Sequence, residues 1–130
     1  MRLDIYLSTD VKSPRKRDGT YKAKWVGFSN SGKKVGEDGI SGTEFDNRYG
    51  MLVLALQSAA EHINQKARPD VRILCPDKTV IRAISSLKSW KKRDFRKKNG
   101  QKLSHSQEWK DIESRLNAAA NVSVVVYEDV

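Results

Sequence analysis

Basic and aromatic side chains are interleaved in one stretch of this sequence, residues 87–102. Eight of its residues are basic and one, Asp94, is acidic, so its net charge is +7. The basic residues are Lys88, Lys91, Lys92, Arg93, Arg96, Lys97, Lys98 and Lys102. Of the two aromatic residues, Trp90 is expected to pack at the base of the segment and Phe95 to make an exposed contact. Basic residues neutralise phosphates, so the pattern favours a folded protrusion that binds nucleic acid over a solvated tail.

A second basic segment lies at residues 11–24, where six basic residues accompany one acidic residue, a net charge of +5. The basic residues are Lys12, Arg15, Lys16, Arg17, Lys22 and Lys24. Since the whole chain has a net charge of +9, the remainder is mildly acidic, at −3. Two local basic patches on an acidic body indicate a polyanionic partner rather than general solubility.

Length and composition predict one soluble globular domain spanning residues 1–130, with 38% hydrophobic and 32% charged residues. The single cysteine, Cys75, excludes an internal disulfide and lies in an apolar run, so we expect it in the core. The first residues do not resemble a signal peptide, and no apolar run is long enough to span a membrane. These features favour a cytoplasmic protein without a membrane partner.

Apolar periodicity predicts the elements that position the basic segments. Strands are expected at residues 3–9, 20–29, 33–40, 71–75 and 122–127. A long helix is expected over residues 43–66 with Thr43 as N-cap, a second from Asp77 through Leu87, and a third that begins at Ser104 or Ser106. The order β β β α β α α β predicts an α/β fold with a five-stranded mixed sheet, and places the protrusion between the last two helices.

This order and several local sequences resemble the type 1 ribonuclease H domain. The strongest similarity covers residues 90–109, where the segment Trp90-Lys91-Lys92-Arg93 precedes a lysine-rich loop and the pair Glu108-Trp109. The motif Ser8-Thr9-Asp10 resembles the family's T-D motif, and Asn47-Arg48 resembles its N-R pair. The resemblance implies a ribonuclease H-like fold and hydrolysis of RNA in RNA–DNA hybrids with two Mg²⁺ or Mn²⁺ ions.

The resemblance also implies four metal-binding carboxylates, of which this sequence matches two, Asp10 and Asp77. The acid expected in the first helix is replaced by Gly50, and the sequence ends at Val130, before the helix that would bear the fourth. Because Mg²⁺ needs several oxygen ligands, Asp10 and Asp77 predict one weak metal site at most. The sequence therefore favours a degenerate active site.

Other acidic residues are candidates to replace the missing carboxylates. Asp46 would precede Gly50 by one helical turn, and the rise of about 5.4 Å per turn argues against an exact replacement. Glu128 and Asp129 follow the last predicted strand. Asp77 also has a purely structural interpretation as a helix N-cap, and Asp10 as a turn residue.

The predicted nucleic-acid contacts lie on the protrusion, on the loop after the first strand and at two helix starts. They are Lys12, Arg15, Lys16, Arg17, Asn47, Lys78, Lys88, Trp90, Lys91, Lys92, Arg93, Phe95, Arg96, Lys97, Lys98 and Lys102. In the family, a glycine-rich loop occupies the position of residues 12–17; here only Gly19 remains and basic residues replace the others. This exchange favours recognition of duplex or single strands by charge and shape over hybrid-specific contacts to 2′-hydroxyls.

Three functions remain open from the sequence. The favoured one is a ribonuclease H-like protein that binds RNA–DNA hybrid, duplex or single-stranded nucleic acid without cutting it. The second is an active Mg²⁺- or Mn²⁺-dependent ribonuclease H. The third is an interaction module whose basic faces dock on an acidic protein. The two histidines, His62 and His105, lack metal-ligand spacing and are expected at the surface.

Overall fold

A computed structural model describes residues 1–64 and 66–127 of the chain. The strands are β1 (Arg2–Thr9), β2 (Arg17–Phe28), β3 (Lys34–Asp46), β4 (Asp70–Cys75) and β5 (Asn121–Val126). The helices are α1 (Arg48–Ala60), α2 (Lys78–Lys92) and α3 (Ser106–Leu116). The predicted order of elements is confirmed. None of the helices within the described ranges is long and apolar enough to cross a membrane.

The strands form one mixed sheet in the order β3-β2-β1-β4-β5. The first three strands are antiparallel neighbours, whereas β4 pairs parallel with β1 and β5 pairs parallel with β4. The predicted five-stranded mixed α/β sheet is therefore confirmed. Since β1, β3 and β4 run in the same direction, their carboxyl ends lie at one edge of the sheet. Asp10, Asp46 and Asp77 lie at or just beyond these ends.

The core lies between one face of the sheet and the helices. Leu3, Ile5 and Leu7 alternate along β1 toward this core, as the sequence pattern predicts. Trp109 and Ile112 of α3 are fully buried in the same cluster. Cys75 is also buried there, and this burial raises the pKa of its thiol from the ordinary 9.0 to about 11.

The beginning of α1 differs from the sequence prediction. Residues 43–46 belong to β3, where Thr43 pairs with Thr20 and Phe45 with Asp18 of β2. The N-cap is Asn47, whose side-chain oxygen accepts a hydrogen bond from Gly50 N at 2.8 Å. The helix also ends earlier than predicted, at Ala60. Long cross-strand pairing overrides the local capping signal, so the prediction of a helix from Thr43 was wrong.

The beginning of α3 also differs from the prediction, because its N-cap position is occupied by His105. His105 has a left-handed backbone, with φ of 57°, and makes no side-chain cap bond among the described residues. Ser104 instead contacts the imidazole Nδ1 of His105 through its hydroxyl at 2.9 Å, and Ser106 is the first helical residue. The backbone turn at His105, rather than a serine cap, starts this helix.

Candidate nucleic-acid interface

The protrusion begins as a continuation of α2, which runs to Lys92. Trp90 is partly buried and meets Trp109 edge to face, with 5.8 Å between ring centroids. The basic residues around Trp90 point to solvent. Lys91 forms an ion pair with Glu113 at 3.5 Å. Trp90 thus anchors the protrusion on α3, which agrees with its predicted position at the base.

Phe95 does not lie where the sequence analysis expected it, because only 5% of the residue is exposed and it belongs to the core. The two consecutive residues Asp94 and Phe95 have left-handed backbones, with φ of 54° and 56°. Phe95 N donates a hydrogen bond back to Trp90 O at 2.8 Å. This reversal turns the ring inward, so the prediction of an exposed aromatic contact was wrong and Phe95 is a second anchor.

The outer part of the protrusion, residues 96–102, is a tight turn. An antiparallel bridge joins Arg96 and Lys102, and Lys97 N donates to Gln101 O at 2.7 Å. Gly100 has a φ of 84°, a left-handed conformation that glycine adopts readily. The turn therefore holds Lys97 and Lys98 at an exposed tip. Over residues 96–102, the surface that the protrusion presents is cationic, without an exposed aromatic ring.

The second basic segment covers the loop between β1 and β2 and the first residues of β2, and its cations Lys12, Arg15, Lys16 and Arg17 are all exposed. Asp10 begins the loop, and its carboxylate accepts a hydrogen bond from Thr20 N at 2.8 Å. A Cβ atom at Gly19 would collide with the Val11 side chain and with the Asp10 carboxylate. The retained glycine therefore permits a close approach of the two strands that fixes the loop.

Asp46 is one of two buried acidic residues among those described. One carboxylate oxygen accepts from Asn47 N at 2.8 Å, and the other accepts from His105 Nε2 at 2.9 Å. The carboxylate lies directly over Gly50, where an added Cβ atom would overlap it. The sequence analysis argued against Asp46 as a replacement for the missing helix acid, because it placed Asp46 one helical turn from position 50. That placement was wrong, because Asp46 ends β3 and its side chain reaches position 50.

His105 is not a free surface residue, since only 14% of its side chain is exposed and its ring lies beside Tyr49. The prediction of a surface position failed because Asp46, its partner, is 59 residues away in the sequence. His62, in contrast, is exposed and stacks on Trp25 with ring centroids 4.5 Å apart.

Asp77 caps α2 and also forms an ion pair. One carboxylate oxygen accepts from Thr79 N at 2.8 Å and Val80 N at 3.3 Å. The other oxygen accepts from Arg48 Nε at 3.1 Å. Both oxygens are therefore used by the protein itself. Arg48, which the sequence analysis noted in the Asn47-Arg48 pair but did not select as a site residue, links the start of α1 to the start of α2.

The remaining predicted contact residues fall into two groups. Asn47 uses its side-chain oxygen to cap α1, so its side-chain NH₂ donor is what is left for a ligand. Lys78, Lys88, Lys92, Arg93 and Lys102 are exposed. Arg96 is exposed as well but donates to Gly100 O at 3.0 Å within the protrusion. The charged contacts predicted on the protrusion are thus accessible.

The three carboxylates at this edge of the sheet are each held by hydrogen bonds from the protein. Asp10, Asp46 and Asp77 each accept hydrogen bonds from protein donors, and the Arg48 guanidinium lies against Asp77. Within residues 1–64 and 66–127, no group of three or more His, Cys, Asp or Glu side chains is arranged to hold a metal ion. Glu128 and Asp129, the further candidates, lie outside the described residues.

Both basic segments are attached to the start of α1. On one side, Arg48 N donates a hydrogen bond to Ser13 O in the loop at 3.0 Å. On the other side, His105 Nε2 donates to the Asp46 carboxylate and so fixes the start of α3, three residues after the protrusion ends. Asp46 and Arg48, which are two residues apart, therefore connect the start of α1 to both basic segments. Arg48 contacts the loop, and Asp46 contacts the residue His105 that follows the protrusion.

No protein-family model matches this sequence, and no curated protein matches it. Solved structures do resemble it. A type 1 ribonuclease H1 named LC9, described as having the type 2 active-site motif, is 15% identical, with a TM-score of 0.72 over 96% of this chain and 63% of that chain. The foamy viral protease–reverse transcriptase in complex with double-stranded DNA is 17% identical, with a TM-score of 0.68 over 99% of this chain and 81% of that chain.

The N-terminal ribonuclease H domain of a Mycobacterium tuberculosis protein, solved as a fusion with maltose-binding protein, is a third similar structure. It is 9% identical, with a TM-score of 0.65 over 99% of this chain and 88% of that chain. At these identities the similarity concerns the fold. The chain is similar to ribonuclease H domains over nearly its whole described length.

Proposed function

We propose that this chain, which has a ribonuclease H-like fold, is a nucleic-acid-binding protein that grips the phosphate backbone of a duplex without hydrolysing it. The observation that carries the proposal is the attachment of both basic segments to the start of α1, through Asp46 and Arg48. A ligand that contacts one basic segment therefore lies close to the other.

The distribution of charge supports a polyanionic ligand. The protrusion (residues 87–102) and the second basic segment (residues 11–24) have net charges of +7 and +5, whereas the rest of the chain sums to −3. Both segments expose cations, which include Lys97 and Lys98 at the tip, Lys12, Arg15 and Lys16 in the loop and Arg17 at the start of β2. Each phosphate that such cations neutralise releases counterions, which makes the affinity strongly salt-dependent.

The state of the carboxylates supports binding without hydrolysis. Asp77 is occupied by its capping bonds and by Arg48, and Asp10 is bonded to Thr20 N. A catalytic metal pair would need these oxygens as ligands. In their present arrangement they serve the fold, and the positive charge of Arg48 beside Asp77 opposes the entry of a second cation.

Metal-dependent hydrolysis of RNA in a hybrid is the second candidate, and one observation favours it. The Asp46 carboxylate lies over Gly50, next to the position where the family places its helix acid. Three carboxylates therefore lie near one edge of the sheet, although Asp46 is bonded to His105.

The choice of a duplex ligand rests on two similar structures. The foamy viral protease–reverse transcriptase has been solved with double-stranded DNA and with an RNA/DNA hybrid. We extend duplex binding to this chain because its two exposed basic segments flank one helix start. Stacking on bases is not expected from the outer part of the protrusion, since it presents cations without an exposed ring.

The test is a binding and cleavage series on labelled RNA–DNA hybrid, duplex RNA, duplex DNA and single strands. Each ligand is incubated with Mg²⁺, Mn²⁺ or EDTA, beside the variant Asp10→Asn/Asp77→Asn. We expect retarded, uncut bands for the duplexes, with or without metal. Metal-dependent cleavage that is lost in the variant would replace the proposal by the hydrolytic candidate. Absence of binding at low salt would favour docking on an acidic protein.

A further inference from the structure

The two edge strands of the sheet differ in how they are protected. β3 carries the charged residues Lys34, Glu37, Asp38 and Glu44 and several glycines. Charges and irregular backbone discourage pairing with a further strand. β5 has the sequence Asn-Val-Ser-Val-Val-Val, with no charged residue and no proline. The β5 edge is therefore suited to accept another strand.

The valines of β5 are unusually accessible. Val122, Val125 and Val126 are 40%, 41% and 50% exposed. Within the described part of the chain, β5 pairs with β4 alone, so its outer backbone groups have no strand partner there. A strand added at this edge would satisfy these groups and cover part of the exposed apolar surface.

A groove of about 640 Å³ runs beside this edge, between β5, α2 and α3. Its apolar wall is formed by Ile84, Leu87 and Leu116 together with Val122 and Val124. An extended chain at the edge of β5 would direct alternate side chains toward this wall. The groove thus offers places for apolar side chains as well as backbone pairing.

Two cations and one acidic residue line the groove. Arg68 and Lys88 line it and are exposed, and α2 contains no acidic residue from Lys78 to Lys92. The acidic lining residue, Glu113, is in an ion pair with Lys91. A ligand with acidic side chains would complement this surface, whereas a cationic one would be repelled.

From these features we propose that the β5 edge and its groove bind an extended segment of a partner protein as an added sixth strand, with both apolar and acidic side chains on the face that meets the groove. A second copy of this chain is a poorer occupant. Two-fold pairing of β5 edges would bring two α2 helices together on one face of the sheet, and both are basic. The proposal does not depend on nucleic-acid binding.

The test uses a fluorescein-labelled octapeptide of two Val-Val-Glu-Glu repeats, which presents valine and glutamate on each face of an extended strand, measured by fluorescence anisotropy on the full chain. A peptide with lysine in place of glutamate controls for charge, and an N-methylated peptide controls for backbone pairing. The variant Arg68→Glu/Lys88→Glu is compared with Lys33→Glu/Lys66→Glu, which reverses two exposed charges outside the groove lining.

We expect the glutamate peptide to bind about tenfold more weakly to the groove variant than to the control variant, because the groove variant loses two exposed charge pairs with the peptide. The groove variant should bind the lysine peptide better than the unmodified chain does. Amide hydrogen exchange at Val122, Val124 and Val126 should slow with the glutamate peptide. Equal binding to both variants, equal binding of the N-methylated peptide, or β5-dependent dimerisation without peptide binding would overturn the proposal.

Discussion

The carboxylate of Asp46 occupies the space in which a side chain at Gly50 would begin. Asp46 ends β3, and Gly50 lies in the first turn of α1, so the pair joins the sheet to the helix. His105 donates to the same carboxylate from the N-cap position of α3, just after the protrusion. The absence of a side chain at position 50 is therefore what allows Asp46 to lie between α1 and the protrusion.

The variant Gly50→Ala tests this relationship. Helix propensity alone predicts that alanine stabilises α1 by about 1 kcal/mol. We expect the opposite sign, a loss of about 1–3 kcal/mol in the free energy of unfolding, because the new methyl group overlaps the Asp46 carboxylate. In an Asp46→Ala background the penalty should disappear. Urea unfolding of the four chains gives the coupling energy, and a stabilising Gly50→Ala in the presence of Asp46 would contradict the interpretation.

Asp77 is predicted to act on folding rather than on ligand affinity. Asp77→Ala removes the cap of α2 and should cost about 0.5–2 kcal/mol of stability, whereas Asp77→Asn keeps a capping oxygen and should cost less. Nucleic-acid affinity should be unchanged or higher in Asp77→Asn, since a negative charge near the interface is removed. Thermal unfolding and anisotropy titrations measure the two effects. A large loss of affinity in a folded Asp77→Asn chain would show another role.

The strand and helix order could be predicted because each element has a clear apolar period. Alternation in β1 and the three-to-four-residue spacing in α3 reflect a single buried face, and the structure buries those residues. The boundary between β3 and α1 could not be predicted from the same signals. Thr43 and Asp46 imitate a capping pattern, but pairing with β2 extends over residues 34–46 and decides the conformation.

The site was less predictable, because its contacts join distant residues. The ion pair of Arg48 and Asp77 spans 29 residues, and the bond between His105 and Asp46 spans 59. The prediction that Phe95 is exposed was wrong for another reason. Its burial depends on two successive left-handed residues, which its basic surroundings do not signal.

The contact between His105 and Asp46 should stabilise the protrusion. In His105→Asn the side chain is too short to reach Asp46, while asparagine still tolerates the left-handed backbone. We expect a loss of about 1–3 kcal/mol, because a buried carboxylate oxygen loses its donor. Ser104→Ala, which removes only the bond to the other imidazole nitrogen, is the matched control. Hydrogen exchange over residues 96–103 should accelerate in His105→Asn, and unchanged exchange would refute the role.

The Cys75 thiol gives a pH-dependent prediction. Burial raises its pKa from 9.0 to about 11 in the folded chain. The unfolded chain therefore releases this proton first, so the contribution to stability is fully present below about pH 9 and falls as the pH rises toward 11. A Cys75→Ala variant should lack this component of the decline. Labelling by a thiol reagent at pH 8 should be slow in buffer and should follow unfolding in urea; rapid labelling of the folded chain would contradict burial.

The exposed tip of the protrusion gives the sharpest test of phosphate binding. Lys97→Ala/Lys98→Ala removes two cations held at the tip by the turn of residues 96–102, without touching the anchors Trp90 and Phe95. Each lost phosphate contact should reduce the slope of log K against log salt concentration by about one. We therefore expect the slope to fall by about two, with unchanged thermal stability. Lys33→Ala/Lys66→Ala, which removes two exposed lysines elsewhere, should leave the slope nearly unaltered. Equal slopes for the two variants would mean that the tip does not contact phosphate, since only a local contact distinguishes two pairs of equal charge.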